Sequence, residues 1–242
     1  MQPGKKTVCI HAFRCGAKNP NCPVEKDRET RQAVPLAPVL SLVTIMAKLL
    51  DQILVVDVES TCWDGPAPPG EVSEIIQIGL CPVDVRTLQR LEKRSILVRP
   101  VRSTISPFCR ELTGLSPEMF HEAIPLREAL RILKKEYCAQ DRLWASWGDY
   151  DRKQFERVCE EFGYGYPFGR SHLNIKTLFS VVMAETREQG FDEACARLGL
   201  PMEGRHHRGD DDAWNIAAIL CRLLEATRQR IMAPSWSGPA GQ

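Results

Sequence analysis

Asp57 and Glu59 close the run Ile53-Leu54-Val55-Val56-Asp57-Val58-Glu59-Ser60-Thr61. In an extended chain, residues i and i+2 point to one face, so the two carboxylates project side by side. Two like charges at the end of a buried strand are costly unless a counter-charge sits between them. A pair of divalent cations would supply it. Two further acid-rich segments lie beside predicted element ends. One is Ser146-Trp147-Gly148-Asp149-Tyr150-Asp151, where a strand runs into a helix. The other is His206-His207-Arg208-Gly209-Asp210-Asp211-Asp212, which opens the last helix.

These residue types suit phosphodiester hydrolysis. That reaction builds negative charge on a phosphorane-like transition state and on the leaving alkoxide. Two Mg²⁺ or Mn²⁺ ions ~4 Å apart stabilise both. Hard ions of this kind take carboxylate oxygens. Four carboxylates drawn from distant parts of the chain suffice for such a cage. A histidine beside it, with a pKa near working pH, takes the proton from the attacking water.

The elements that must position these groups follow from periodicity. Ile53–Val58, Glu74–Leu80 and Arg94–Val98 read as three strands, and their short spacing makes an antiparallel meander. Pro125–Tyr137 has helical spacing, Leu143–Trp147 reads as a strand and Asp151–Phe162 as a helix. Ile175–Glu185, Phe191–Leu198 and Asp210–Thr227 are three more helices. The fold class is α/β: a mixed sheet, the meander plus parallel strands, flanked by helices.

The chain has 242 residues, 43% of them hydrophobic and 26% charged, which suits a globular protein. No apolar run approaches the ~20 residues that span a bilayer. Residues 1–45 carry seven Lys/Arg against three Asp/Glu, while the rest carries 25 against 28. A nearly neutral body argues against a broad electrostatic clamp on nucleic acid, but not against an enzyme gripping a chain end through metal ions. Ten scattered cysteines without a CxxC point to a reducing, cytoplasmic setting. Residues 1–45 read as a disordered or loosely ordered extension, with Met46 a candidate start. Cys9, His11, Cys15 and Cys22 lie there, at spacings that fit no usual zinc finger. Residues 46–230 read as the catalytic domain and 231–242 as a flexible tail.

Asp57-Val58-Glu59-Ser60-Thr61, Gly148-Asp149-Tyr150-Asp151, and His207 with Asp212 five residues on together resemble the DEDDh 3′→5′ exonucleases. The match covers roughly residues 50–225. Asp57–Trp63, Ser73–Gly79, Cys109–Leu115 and His206–Ala217 are similar to the Eri-type, histone-mRNA-end branch. The resemblance implies an RNase H-like fold, two divalent cations and release of nucleoside 5′-monophosphates from a 3′ end, with RNA favoured over DNA. It implies that Asp57, Glu59, Asp151 and Asp212 hold the metals and that His207 is the general base. Asp149 competes with Asp151, and His206–Asp211 has the same spacing as His207–Asp212. The family register of Gly148-x-x-Asp151-x-x-x-Phe155, and of Gly209 with Asp212–Ala217, selects Asp151 and His207/Asp212. Tyr150 is a candidate platform for the terminal base or sugar, with Ser60 and Thr61 beside it.

Each residue also has a plainer reading. Asp151 stands where an N-cap would, and the three aspartates of the last helix suit its dipole. Ser60 and Thr61 could simply turn the chain. An RNase H-like module that binds nucleic-acid ends without turnover would keep the fold and need none of the acids.

Overall fold

The computed structural model describes residues 49–233. The sequence expectations for residues 1–45, including the Cys9/His11/Cys15/Cys22 group, and for most of the tail fall outside that range. Six strands form one sheet in the order β4-β3-β2-β1-β5-β6. They are β1 (Leu49–Ser60), β2 (Ile75–Asp84), β3 (Arg94–Arg99), β4 (Ile124–Pro125), β5 (Arg142–Ser146) and β6 (His172–Asn174). β1, β2 and β3 pair antiparallel as the expected meander, and β5 joins β1 in parallel. β6 extends β5 in parallel and β4 extends β3 in parallel.

The centre of the sheet is buried on both faces, which explains the unbroken valine and isoleucine run of β1. Leu54, Val56 and Val58 enter one core with Leu130, Leu133, Trp144, Phe155 and Val158. Those partners come from β5 and from helices α2 (Leu126–Lys135) and α3 (Tyr150–Glu161). Ile53 and Val55 enter the opposite core with Phe179, Phe191, Ile216 and Leu220. These belong to α4 (Ile175–Val182), α5 (Phe191–Leu198) and α6 (Gly209–Met232). Burial of each such side chain contributes roughly 2 kcal/mol. The alternation places Asp57 and Glu59 on the α6 face.

Four elements have no counterpart in the periodicity reading, the two-residue β4 and a 3₁₀ turn at Pro117–Glu122 among them. The helix α1 (Pro107–Thr113) is one such element: Ser106 Oγ accepts from Cys109 N at 2.9 Å, and Gly114 ends the helix with φ 66°. Its seven residues are too few for a clear apolar period. β6 has three residues, too short to alternate visibly. α4 stops at Val182, short of the predicted Glu185, because Ala184 turns left-handed at φ 52°.

Candidate active site

The carboxyl ends of the parallel strands β1 and β5 meet the first turns of α3 and α6. In α/β sheets such strand ends are where ligands bind. Asp57 pairs with Gly79 and Glu59 with Gln77, and the register slips between Glu59 and Ser60. A bulge of this kind re-aims side chains at a strand end. Gly79 has a specific task. A Cβ there would overlap the backbone of Gly209, so only glycine lets α6 abut β2. Gln77 locks that contact: its Oε1 accepts from Gly209 N at 2.9 Å. Its Nε2 donates to Asp210 Oδ1 at 2.9 Å and to Ser95 Oγ at 2.8 Å.

Asp151 arrives from the other side of the sheet, on the first turn of α3. It is 3% exposed, and its Oδ1 accepts from Val58 N at 2.9 Å, directly between the two β1 acids. Asp149, its rival, is more open and pairs with Arg152 at 3.2 Å. Asp212 is 2% exposed, and its Oδ2 accepts from His207 N at 2.9 Å. Asp211 turns away, accepting from Arg205 N at 2.8 Å and pairing with Lys93. His206 is exposed and packs on Phe191 at 4.7 Å, while the half-buried His207 ring stacks on it at 4.1 Å.

Carboxylate oxygens of Asp57, Glu59 and Asp212 lie within 4.8 Å of one another. Ring nitrogens of His206 and His207 fall within the same distance of each other and of an Asp212 oxygen. Asp151 stands outside both groupings, yet its charge acts on Asp57 and Glu59. Burial first, then the charges of Asp151, Glu59 and Asp212, hold the Asp57 carboxyl well above the usual range. Burial and then Asp212 and Asp151 push Glu59 up to about 8, against a pull from Arg208. Burial pushes Asp151 and Asp212 up to about 7, opposed by the Val58 and His207 N–H groups respectively. Burial, then the neighbouring His206, lowers His207 below its ordinary value. It is therefore the neutral, proton-accepting imidazole at pH 7.

The residues present suit hard divalent cations. Asp212 Oδ1 is buried with no hydrogen-bond partner among the described residues, and buried carboxylate oxygens are seldom left so. Crowded carboxyls that would otherwise keep their protons point the same way.

On the substrate side, Tyr150 is 57% exposed, yet burial at its hydroxyl end raises its pKa against hydrogen bonds with Ser60 and Ser73. Ser60 Oγ accepts from Gln154 Nε2 at 2.9 Å. Thr61 Oγ1 donates to Val72 O at 3.0 Å and accepts from Glu74 N at 2.9 Å, so it ties both ends of the loop between β1 and β2. Gln77, Gln154 and Arg208 are site residues the sequence reading missed. A glutamine inside the apolar run of β2 was the visible signal for Gln77; Gln154 and Arg208 had none.

Fold and site together define a nuclease of the RNase H-like class with a carboxylate cleft. The chain belongs to the RNase T exonuclease family, whose profile matches residues 54–220. It is 26% identical to the 3′-5′ exonuclease Snipper of Drosophila melanogaster, over 71% of this chain and 69% of that protein. It is 29% identical to human 3′-5′ exoribonuclease 1, over 72% of this chain and 53% of that one. The chain thus spans about half the length of that relative. Among solved structures it is similar to the nuclease domain of 3′hExo, a DEDDh family member bound to rAMP. That likeness has TM-score 0.66 and 28% identity, over 73% of this chain and 92% of that one. A 3′-exonuclease recognising the histone mRNA stem-loop has TM-score 0.65 and 26% identity, over 74% and 65%.

Proposed function

We propose that this chain is a metal-dependent 3′→5′ exonuclease that removes nucleotides from the 3′ end of RNA and releases nucleoside 5′-monophosphates. The unpartnered, buried Oδ1 of Asp212, facing the Asp57 and Glu59 carboxylates, carries the reading. Asp57, Glu59, Asp151 and Asp212 would hold two divalent cations, with Mg²⁺ or Mn²⁺ matching their all-oxygen donor set. Bound there, the pair supplies positive charge to the phosphorane-like transition state and the leaving alkoxide.

The protein's own groups do the rest. His207, neutral at working pH, accepts the proton of the attacking water. Tyr150 presents an exposed ring at the mouth, where a terminal base or sugar can stack. Ser60 and Thr61 shape the floor beside it, with Thr61 acting by fixing the loop, since its hydroxyl and its backbone N–H are both engaged. The relatives named exoribonuclease favour RNA, and exposure of the terminal ribose to this wall would let the 2′-OH be read. Among the described residues no helix is long and apolar enough to cross a membrane. A cytoplasmic setting suits the seven unpaired cysteines of the described residues, Cys81, Cys109, Cys159 and Cys195 among them buried. Residues 46–230 would form the catalytic domain.

End-labelled RNA and DNA oligonucleotides of one sequence, incubated with Mg²⁺ or Mn²⁺, test activity, polarity and sugar preference together. The 3′ end should shorten stepwise, faster on RNA. His207→Ala should slow single-turnover cleavage ~10²-fold or more while metal titration stays near wild type. Asp57→Ala should weaken metal binding itself. Wild-type rates in both variants would remove the enzymatic reading and leave an end-binding module.

A further inference from the structure

The acidic cleft repels phosphates until cations fill it, so attraction for a nucleic acid must come from elsewhere on the chain. α2 offers a source. Arg127, Arg131 and Lys134 recur at i, i+4 and i+7, forming one stripe, with Lys135 beside it. Ala129, Leu130 and Leu133 face the core instead. The charged face of an amphipathic helix ordinarily looks onto open solvent. This one lines a concavity of about 780 Å³, whose other wall is the Gly163-Tyr164-Gly165 turn after α3. Lys134 Nζ donates to Gly165 O at 2.8 Å and draws that wall close. Glu128 is the one acid among the lining residues, and it is bonded to Arg131 at 2.6 Å. Arg127, Lys134 and Lys135 form no ion pair with the described residues.

The concavity does not stand alone. Tyr164 also lines a second one of about 460 Å³, together with Tyr166, Arg170 and His172; its acids Glu156 and Glu160 balance Arg152 and Arg170, with Arg152 paired to Glu156 at 3.1 Å, so the free cations are those of α2. Arg152 sits on the first turn of α3, next to Asp151. The two hollows share Tyr164, one lying along α3 from Arg152 and the other beside the basic stripe of α2. α3 is 12 residues long, about 18 Å, the reach of several nucleotides.

We propose that this groove of two hollows is a second binding site, taking the sugar–phosphate backbone of the nucleic acid upstream of its 3′ end. Cations along α2 meet phosphates, and the half-buried rings of Tyr164 and Tyr166 offer faces to bases. The choice of ligand rests on the exonuclease reading; the charge and shape of the groove do not.

Arg127 and Lys135 are exposed and free of structural bonds, so Arg127→Glu/Lys135→Glu tests the site without unfolding the helix. Fluorescence anisotropy in EDTA measures affinity for a long single-stranded RNA with no turnover. The variant should bind that RNA ~10-fold or more weakly at low salt, and the slope of log affinity against log salt should fall by roughly one to two. Arg127→Lys/Lys135→Arg should bind like wild type. With metal present, KM for the long RNA should rise while hydrolysis of a trinucleotide stays unchanged. Undiminished long-RNA affinity in the charge-reversed variant overturns the proposal, as does an equal loss on the trinucleotide. A wild type that binds long RNA in EDTA through these residues, yet cleaves nothing, would sink the nuclease and leave the groove standing.

Discussion

His207 holds a backbone φ of 63°, in the left-handed region that residues with a Cβ avoid. The strain belongs to its position: the residue must hand its N–H to Asp212 and its ring to the cleft at once. Such conformations persist where surrounding structure over-determines them, commonly at functional sites. A comparison of two variants separates strain from chemistry. His207→Gly should be more stable than His207→Ala by about 1 kcal/mol in urea melts, because glycine adopts this φ freely. Equal stabilities would mean that the turn relaxes when the ring is gone. At this scale the sequence was informative about types but not about pairs. Asp57 and Glu59 were readable from strand parity alone. Asp151 over Asp149, and His207 over His206, rested on a family register. The separate fates of Asp149 and Asp211, bonded to Arg152 and to Lys93, depend on side chains distant in sequence or on rotamers, which no spacing encodes.

The contact between β2 and α6 is the one that brings His207 and Asp212 to the β1 acids. It needs a missing side chain at Gly79, with the Gly209 position 3.1 Å from Gly79 N and 3.2 Å from Asp57 O for any added Cβ. Gly79→Ala should therefore lift the start of α6, lower the melting temperature by several degrees and cut cleavage far more than an exposed substitution such as Glu122→Ala. Differential scanning calorimetry with a cleavage assay checks both. A stable but inactive Gly79→Ala would isolate the positioning effect. The long, periodic elements were legible in the sequence, with boundaries a few residues off. α1 and β6 were not, because seven and three residues carry too little pattern. The signals for α1 were instead local: Ser106 before it, Pro107 at its first position and Gly114 after it.

Over the whole molecule, the acid cluster ties stability to pH in an unusual direction. Without metal, Glu59 keeps its proton to about pH 8, against 4.5 unperturbed. Asp151 and Asp212 keep theirs to about pH 7, against 3.8. The folded state thus binds more protons than the unfolded chain across that interval. This contribution is full below about pH 4 and is lost as pH rises through 7 to 8. Most carboxylates behave in the opposite sense. Chelated protein should melt at progressively lower temperature from about pH 5 to about pH 8. Saturating Mg²⁺ should restore the loss at pH 8. A flat profile for chelated wild type, or an identical slope in Asp57→Asn/Asp212→Asn, would refute the coupling. The mixed sheet itself was legible from the meander followed by alternating helices and strands. The cavities beside α2 and α3 were not, because a concavity arises from how a helix and a turn approach, not from either alone.

The pressed backbones of Gly79 and Gly209 leave no hinge on that wall of the cleft. The open backbone lies on the facing side, where the loop between β1 and β2 runs exposed from Asp64 to Gly70. One jaw is an anvil and the other is open to solvent. Efforts to alter which ends the enzyme accepts should reshape the open jaw and leave the anvil as it is.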